Sequence, residues 1–221
     1  MDDLHPIVLA AGKKRTLPNW AEASEERRHH LQRVGRLMWK WSGVLGLPRR
    51  ERVRWRAAGV LHDALKGSPP NRLGSQLLAA LKQHALAATL PEMGSNILNQ
   101  WPGSLLHGPA CAARLHDEGV TDRDLLMAVA FHTTGHAGLE RIGQALYAAD
   151  FLEPGRVTKR RTRAALRQQM PTRWLPTMRT VAAAKIDTLL KRSLPLDPIT
   201  VDFWNSLAAS TEKGAATPRG R

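Results

Sequence analysis

Apolar residues recur at helical spacing along nearly the whole chain, and no run alternates β-branched with polar residues as a half-buried strand would. In the stretch 24–45, Val34, Leu37, Met38 and Trp41 share one helical face. The chain carries only 1 Tyr and 3 Phe, so it is also short of the Tyr and Phe that strands favour. The pattern predicts an all-α fold.

Local signals mark the expected boundaries. Residues 1–24 read as an N-terminal extension, irregular over its first 18 residues, with a basic cluster at Lys13, Lys14 and Arg15. Helix starts at Asn19 and Ser24 lead into a helix ending near Leu45, closed by Gly46 and Pro48. Helices are expected over about 51–65 and 72–89, followed by a Pro- and Gly-rich loop over 91–108. Pro109 suits the first helical position and opens 109–118. Thr121 with Asp124 resembles a capping box before 122–132. A helix over 138–152 stops at Pro154-Gly155, and 159–192 is helical and basic with breaks near Pro171 and Pro176. The expected organisation is a single core over 25–160, a basic helical segment over 161–205 packed on it, and a disordered tail over 206–221.

Composition narrows the class. A chain of 221 residues with 43% hydrophobic residues suits one domain with a real core. No apolar run approaches the roughly 18–20 residues of a membrane span. Asp2 and Asp3 give the wrong sign for a secretory leader. The single cysteine, Cys111, excludes a disulfide framework and a Cys-rich zinc site, and reads as a small buried residue. A cytoplasmic protein without a membrane partner is expected. The 33 Lys and Arg outweigh the 19 Asp and Glu, leaving +14, which points to an anionic partner.

Several polar residues fall on the apolar faces. His30 lines up with Val34, Leu37, Met38 and Trp41, whereas its neighbour His29 lines up with Arg33, Arg36 and Lys40. His132 joins Leu125, Ala128 and Val129, and Asp150 continues the stripe of Leu139, Ile142 and Leu146. His62 and Asp63 follow Val60-Leu61 at a helix end, and His107 stands where a loop meets a helix. A buried, unpaired carboxylate costs several kcal/mol. Neutral imidazoles and carboxylates gathered around a metal ion resolve that cost together. A single inward histidine is more often a hydrogen-bonded core residue; the ordered set is what favours a metal.

The ordered set carries a resemblance. His30 is followed by Val60-Leu61-His62-Asp63-Ala64-Leu65-Lys66, then Leu105-Leu106-His107-Gly108-Pro109-Ala110, Phe131-His132-Thr133-Thr134-Gly135 and Tyr147-Ala148-Ala149-Asp150-Phe151-Leu152-Glu153-Pro154-Gly155-Arg156. These blocks resemble the HD-domain metal-dependent phosphohydrolases, and within them the YqeK-type branch of symmetrical bis(5′-nucleosyl)-tetraphosphatases. The resemblance spans about 25–160. It departs from the family pattern at His136, where Arg or Lys is usual, at Leu139, and over Val157-Thr158-Lys159-Arg160-Arg161.

The resemblance implies a helical bundle with a buried dinuclear site. Its ions would be two first-row divalent metals, iron first, with manganese or cobalt as alternatives. The implied ligands are His30, His62, Asp63, His107, His132 and Asp150, with Asp63 bridging. The implied reaction is cleavage of diadenosine tetraphosphate into two ADP by a metal-bridged hydroxide. Asp63 and Lys66 would be catalytic, Lys66 by charge stabilisation or leaving-group protonation, unless it is a plain surface lysine. Substrate contacts would come from Lys66, Thr133, Gly135, His136 and Arg156. Thr133 reads equally as a helix-end cap, Arg156 as a partner of Glu153, and His136 as an exposed loop residue. The alternatives are a phosphohydrolase of guanosine polyphosphates or nucleoside mono- or diphosphates, and a nucleic-acid-binding protein that keeps the scaffold. The last would use the basic stretches 27–56 and 156–192, which also read as solvated faces or as electrostatic steering of a nucleotide. A dimer is compatible with the sequence.

Overall fold

The computed structural model describes residues 4–94, 97 and 101–211. Every regular element among them is helical. The chain opens with a short turn, α1 (Pro6–Leu9), that widens into a π-turn over Ala10–Lys14. The expectation of irregular structure over the first 18 residues is therefore corrected: Val8 and Ala11 bury against the third helix, and the His5 ring accepts from Ile7 N at 3.3 Å to start the turn.

Helix α2 (Glu25–Val44) starts where the sequence places it, with Ser24 Oγ accepting from Arg27 N at 3.2 Å. Its inward stripe buries Val34, Met38 and Trp41 against α3 (Arg49–Leu61). The two cross closely: a Cβ on Gly59 would lie 2.8 Å from Gly35 Cα, so only glycine admits the approach. Helix α3 stops at Leu61 rather than near 65, because residues 62–67 turn back to the N-terminal extension. Glu22 clamps this turn with its own backbone, donating to Ala64 O at 2.7 Å and accepting from Gly67 N at 2.8 Å.

The expected helix over 72–89 is two, α4 (Pro70–Leu81) and α5 (His84–Thr89), and the change of direction lets Leu86 and Leu90 bury as well as Leu73 and Leu77. Part of the 91–108 loop, at 95–96 and 98–100, lies outside the described residues. A 3₁₀ turn over Gly103–Leu105 leads into α6 (His107–Asp117), so Pro109 is the third helical residue, still within the first turn where its missing N–H is harmless. Helix α7 (Arg123–Phe131) is capped by Asp122, not Thr121: Asp122 Oδ1 accepts from Leu125 N at 3.1 Å while the Arg54 fork holds both carboxylate oxygens. Glycine again sets an approach here, since a Cβ on Gly108 of α6 would lie 2.6 Å from Ala130 O of α7. Helix α8 (Arg141–Leu152) closes the inner layer.

Three C-terminal helices, α9 (Arg160–Gln169), α10 (Trp174–Lys191) and α11 (Pro198–Ala209), cover α8. Trp174 packs on Trp55 and donates to Gln144 Oε1 at 2.7 Å; Phe203 packs on Tyr147. Residues 206–209, assigned to the tail, continue α11 because Phe203 and Leu207 are buried. The rest of that expectation, 212–221, lies outside the described residues. The basic stretch has a structural use: Arg163 and Arg167 donate to the last carbonyls of α8, at Phe151 and Leu152, and Arg179 donates to Leu207, Ala208 and Ser210 at the end of α11. No described helix is long and apolar enough to cross a membrane.

Candidate metal centre

The close crossings deliver the six ordered residues to one place. The Gly59 crossing sets the His30 and His62 rings 5.4 Å apart, and the Gly108 approach sets the His107 and His132 rings 5.1 Å apart. His62 stands 4.7 Å from His132 and ties the two pairs together. His30, His62, Asp63, His107 and His132 are buried, and Asp150 keeps 17% of its side chain exposed.

Three of the imidazoles are oriented in one way. The Nδ1 atoms of His62, His107 and His132 each face a carbonyl three residues back, Gly59 O at 3.0 Å, Ser104 O at 2.9 Å and Val129 O at 2.8 Å. That contact places the ring proton on Nδ1 and leaves the Nε2 lone pair pointing inward. The lone pairs converge on Asp63: Oδ1 lies 3.0 Å from His107 Nε2 and 3.2 Å from His132 Nε2, and Oδ2 lies 3.7 Å from His62 Nε2. His62 Nε2 and Asp63 Oδ1 have no hydrogen-bond partner, and His107 Nε2 stands 3.2 Å from His132 Nε2. Acceptors facing acceptors repel unless a cation lies among them. The nitrogen and carboxylate donors suit a first-row divalent ion, and two sets have the spacing to share one: His30, His62 and Asp150, and His62, Asp63 and His132.

Burial pushes His62 down to about 3 and lowers His107, so both rings are neutral, as ligands must be. Burial opposes the charges on Asp63 and Asp150. At Asp150, His30 and Arg156 outweigh it and hold the carboxyl well below the usual range. Burial also opposes a charge on His30, but hydrogen bonds to Asp150 and Glu153 raise its pKa. Its Nε2 lies 3.2 Å from Asp150 Oδ1, and its Nδ1 lies 3.4 Å from Glu153 Oε1. Glu153 is fixed in turn by Arg33 and by Gly155 N, each at 2.7 Å.

The residues expected around the ligands divide. Lys66 Nζ lies 3.2 Å from His107 Nδ1 and donates to Ser104 O at 3.5 Å, and burial lowers its pKa. Thr133 Oγ1 lies 3.1 Å from His132 Nε2, inside the cluster. Arg156 pairs with Asp150 at 2.9 Å more closely than with Glu153 at 3.9 Å. Two residues are not brought in. The His136 ring packs on Phe131, accepts from Gly138 N at 2.9 Å and faces Glu92, Arg123 and Asp202. Gly135 has φ of +76° and lies against the Phe203 ring, so packing and backbone conformation account for it. Cys111 is buried and donates to Leu61 O at 3.2 Å, with its thiol pushed up by burial.

Sequence reasoning missed two cations. Arg27 NH1 lies 2.8 Å from Asp63 Oδ2, one turn before His30 on the same helical face, a spacing that makes it legible in hindsight. Lys185, on α10, donates to His132 O at 3.3 Å, and no local signal marks it.

No family model matches the chain. Three curated bacterial relatives do, each named as a symmetrical bis(5′-nucleosyl)-tetraphosphatase. The Staphylococcus aureus protein is 38% identical over 100 residues, covering 45% of this chain and 45% of its own length. The Halalkalibacterium halodurans protein is 28% identical over 155 residues, covering 68% and 73%. The Bacillus subtilis protein is 32% identical over 100 residues, covering 45% and 47%. The chain thus spans about half the length of two of these relatives and nearly three quarters of the third. A solved structure from Clostridium acetobutylicum, described as a predicted HD superfamily hydrolase involved in NAD metabolism, shares the fold with a TM-score of 0.64 at 24% identity, covering 84% of this chain and 90% of that one. With the His-Asp cluster in place, the chain has the fold of that HD-superfamily structure and is similar in sequence to these three bacterial relatives.

Proposed function

We propose that the chain is a metal-dependent hydrolase of dinucleoside polyphosphates that splits diadenosine tetraphosphate into two ADP. The observation that carries this reading is the convergence of three carbonyl-oriented Nε2 atoms on the Asp63 carboxylate. The names of the three relatives supply the substrate class.

His30, His62 and Asp150 would hold one divalent ion and His107 with His132 a second, with Asp63 shared between them; iron is the first choice, with manganese or cobalt as alternatives. Such ions supply an activated water and neutralise phosphate oxygens when bound. The chain's own groups do the rest. Arg27 and Arg156 pair with Asp63 and Asp150, and each carries a planar fork suited to a phosphate. Lys66 stands at the edge of the cluster with a lowered pKa, placed to neutralise the leaving diphosphate or to give it a proton. Thr133 offers a hydroxyl to a phosphate oxygen. Attack at either inner phosphorus breaks the central P–O–P bridge. The water oxygen ends on one ADP and the bridging oxygen on the other.

The test is a substrate panel on the metal-reconstituted protein, comparing diadenosine tetraphosphate with guanosine polyphosphates and nucleoside mono- and diphosphates. The expected result is the highest kcat/KM on the dinucleoside tetraphosphate. A preference for any of the others would overturn the substrate assignment.

A further inference from the structure

The ammonium of Lys185 stands out among the cations around the centre. Arg27, Arg33 and Arg156 each face a carboxylate, Asp63, Glu153 and Asp150 respectively. Lys185 has no carboxylate within ion-pair distance among the described residues. Its Nζ donates to His132 O at 3.3 Å and sits 3.6 Å from the centroid of the Tyr147 ring. Both contacts belong to the metal centre: His132 carries a ligand nitrogen, and Tyr147 lies one turn before Asp150. A half-buried lysine without an anionic partner is costly. Lys66 is in a similar position beside His107, again with no carboxylate within ion-pair distance among the described residues. Two lysines thus stand beside the cluster with no carboxylate within ion-pair distance among the described residues. One comes from the core, and the other from α10, outside the stretch that carries the family resemblance.

We propose that Lys185 is a phosphate-binding residue of this site, taking the oxygens of a nucleotide's phosphate chain on the His132 side, so that the C-terminal helices complete the site. This rests on the reading of the cluster as a polyphosphate-hydrolysing centre. The Tyr147 ring lies against the ammonium, and the backbone of His132 accepts one of its three N–H bonds, leaving the others for the ligand.

The test uses the full chain loaded with manganese. In wild-type protein, lysine acylation read by mass spectrometry is expected to slow at Lys185 by about tenfold or more on saturation with ADP or pyrophosphate, and to be unchanged at exposed Lys191. Lys185→Met keeps the stem and is expected to weaken ADP binding by about 10- to 100-fold with metal content unchanged; Lys185→Arg is expected to recover part of the loss. Unprotected acylation at Lys185 in wild-type protein would overturn the proposal. A folded Lys185→Met that binds ADP as wild type does would also overturn it. The acylation arm stands even if that variant does not fold. If ADP and pyrophosphate protect Lys185 but diadenosine tetraphosphate is not cleaved, the substrate reading fails and this one survives. Cleavage without protection sinks this one alone.

Discussion

His107 and His132 bring their Nε2 atoms within 3.2 Å of each other while the Nδ1 of each is held by a carbonyl of the same segment. Both nitrogens are therefore acceptors, and both face Asp63 Oδ1. A protein maintains such an arrangement against mutual repulsion when a cation is part of its working state. The helices that impose it meet at Gly108, whose missing side chain sets their separation.

Asp63 is the residue on which all three carbonyl-held imidazoles converge. Asp63→Ala is expected to remove bound metal and to lower turnover by more than the about 10–100-fold typical of outer partners of a metal site. Metal content by atomic emission, read beside activity, checks this. Full metal occupancy in the variant would contradict it.

Arg27 places a guanidinium 2.8 Å from Asp63 Oδ2. Arg27→Met leaves a buried carboxylate without that partner, so the metal-free protein should lose about 1–3 kcal/mol of stability, less than a fully buried pair because Arg27 is 32% exposed. Metal replaces the lost charge. The rise in Tm on adding manganese should therefore be larger in the variant than in wild type, and an equal rise would count against the role.

The centre also predicts an acid limit. His62 titrates at about 3 when folded and at an ordinary 6.5 when unfolded. Between those values the unfolded chain binds more protons, so stability rises with pH across the window and is lost as pH falls from about 6.5 toward 3. The slope from this residue is at most about 1.4 kcal/mol per pH unit. Urea unfolding of metal-free protein between pH 4 and 7 should show the slope, and His62→Gln should flatten it.

Gly108→Ala places a methyl group against Ala130 O. The expected loss is about 1–3 kcal/mol, with weaker metal binding because the two histidine-bearing helices must separate. A thermal melt and a metal titration check this. A variant with unchanged Tm and metal affinity would show that the approach is not tight.

Much of this was legible in the sequence. Among the candidate ligands, His30 and His132 continue apolar stripes of helical period, which places them inward and His29 outward. Local rules failed where a neighbour distant in the chain decides. Asp122 displaced Thr121 as a cap because Arg54 holds its carboxylate, and α3 ends early because Glu22 clamps the turn that presents His62 and Asp63. His136 and Gly135 follow the candidate ligand His132 in sequence but turn away on Phe131 and Phe203. Lys185 could not be read at all, since only tertiary packing brings α10 to Tyr147. The basic excess looked like a surface property, yet several arginines are spent on helix-end carbonyls.

The central claim is a divalent-metal centre that cuts a dinucleoside tetraphosphate in the middle. Incubating the manganese- or iron-loaded protein with diadenosine tetraphosphate and separating the products by anion exchange tests it most directly. The account predicts ADP as the only nucleotide product, with turnover abolished by a chelator and restored by metal. Release of ATP with AMP, or no cleavage by fully metal-loaded protein, would contradict it.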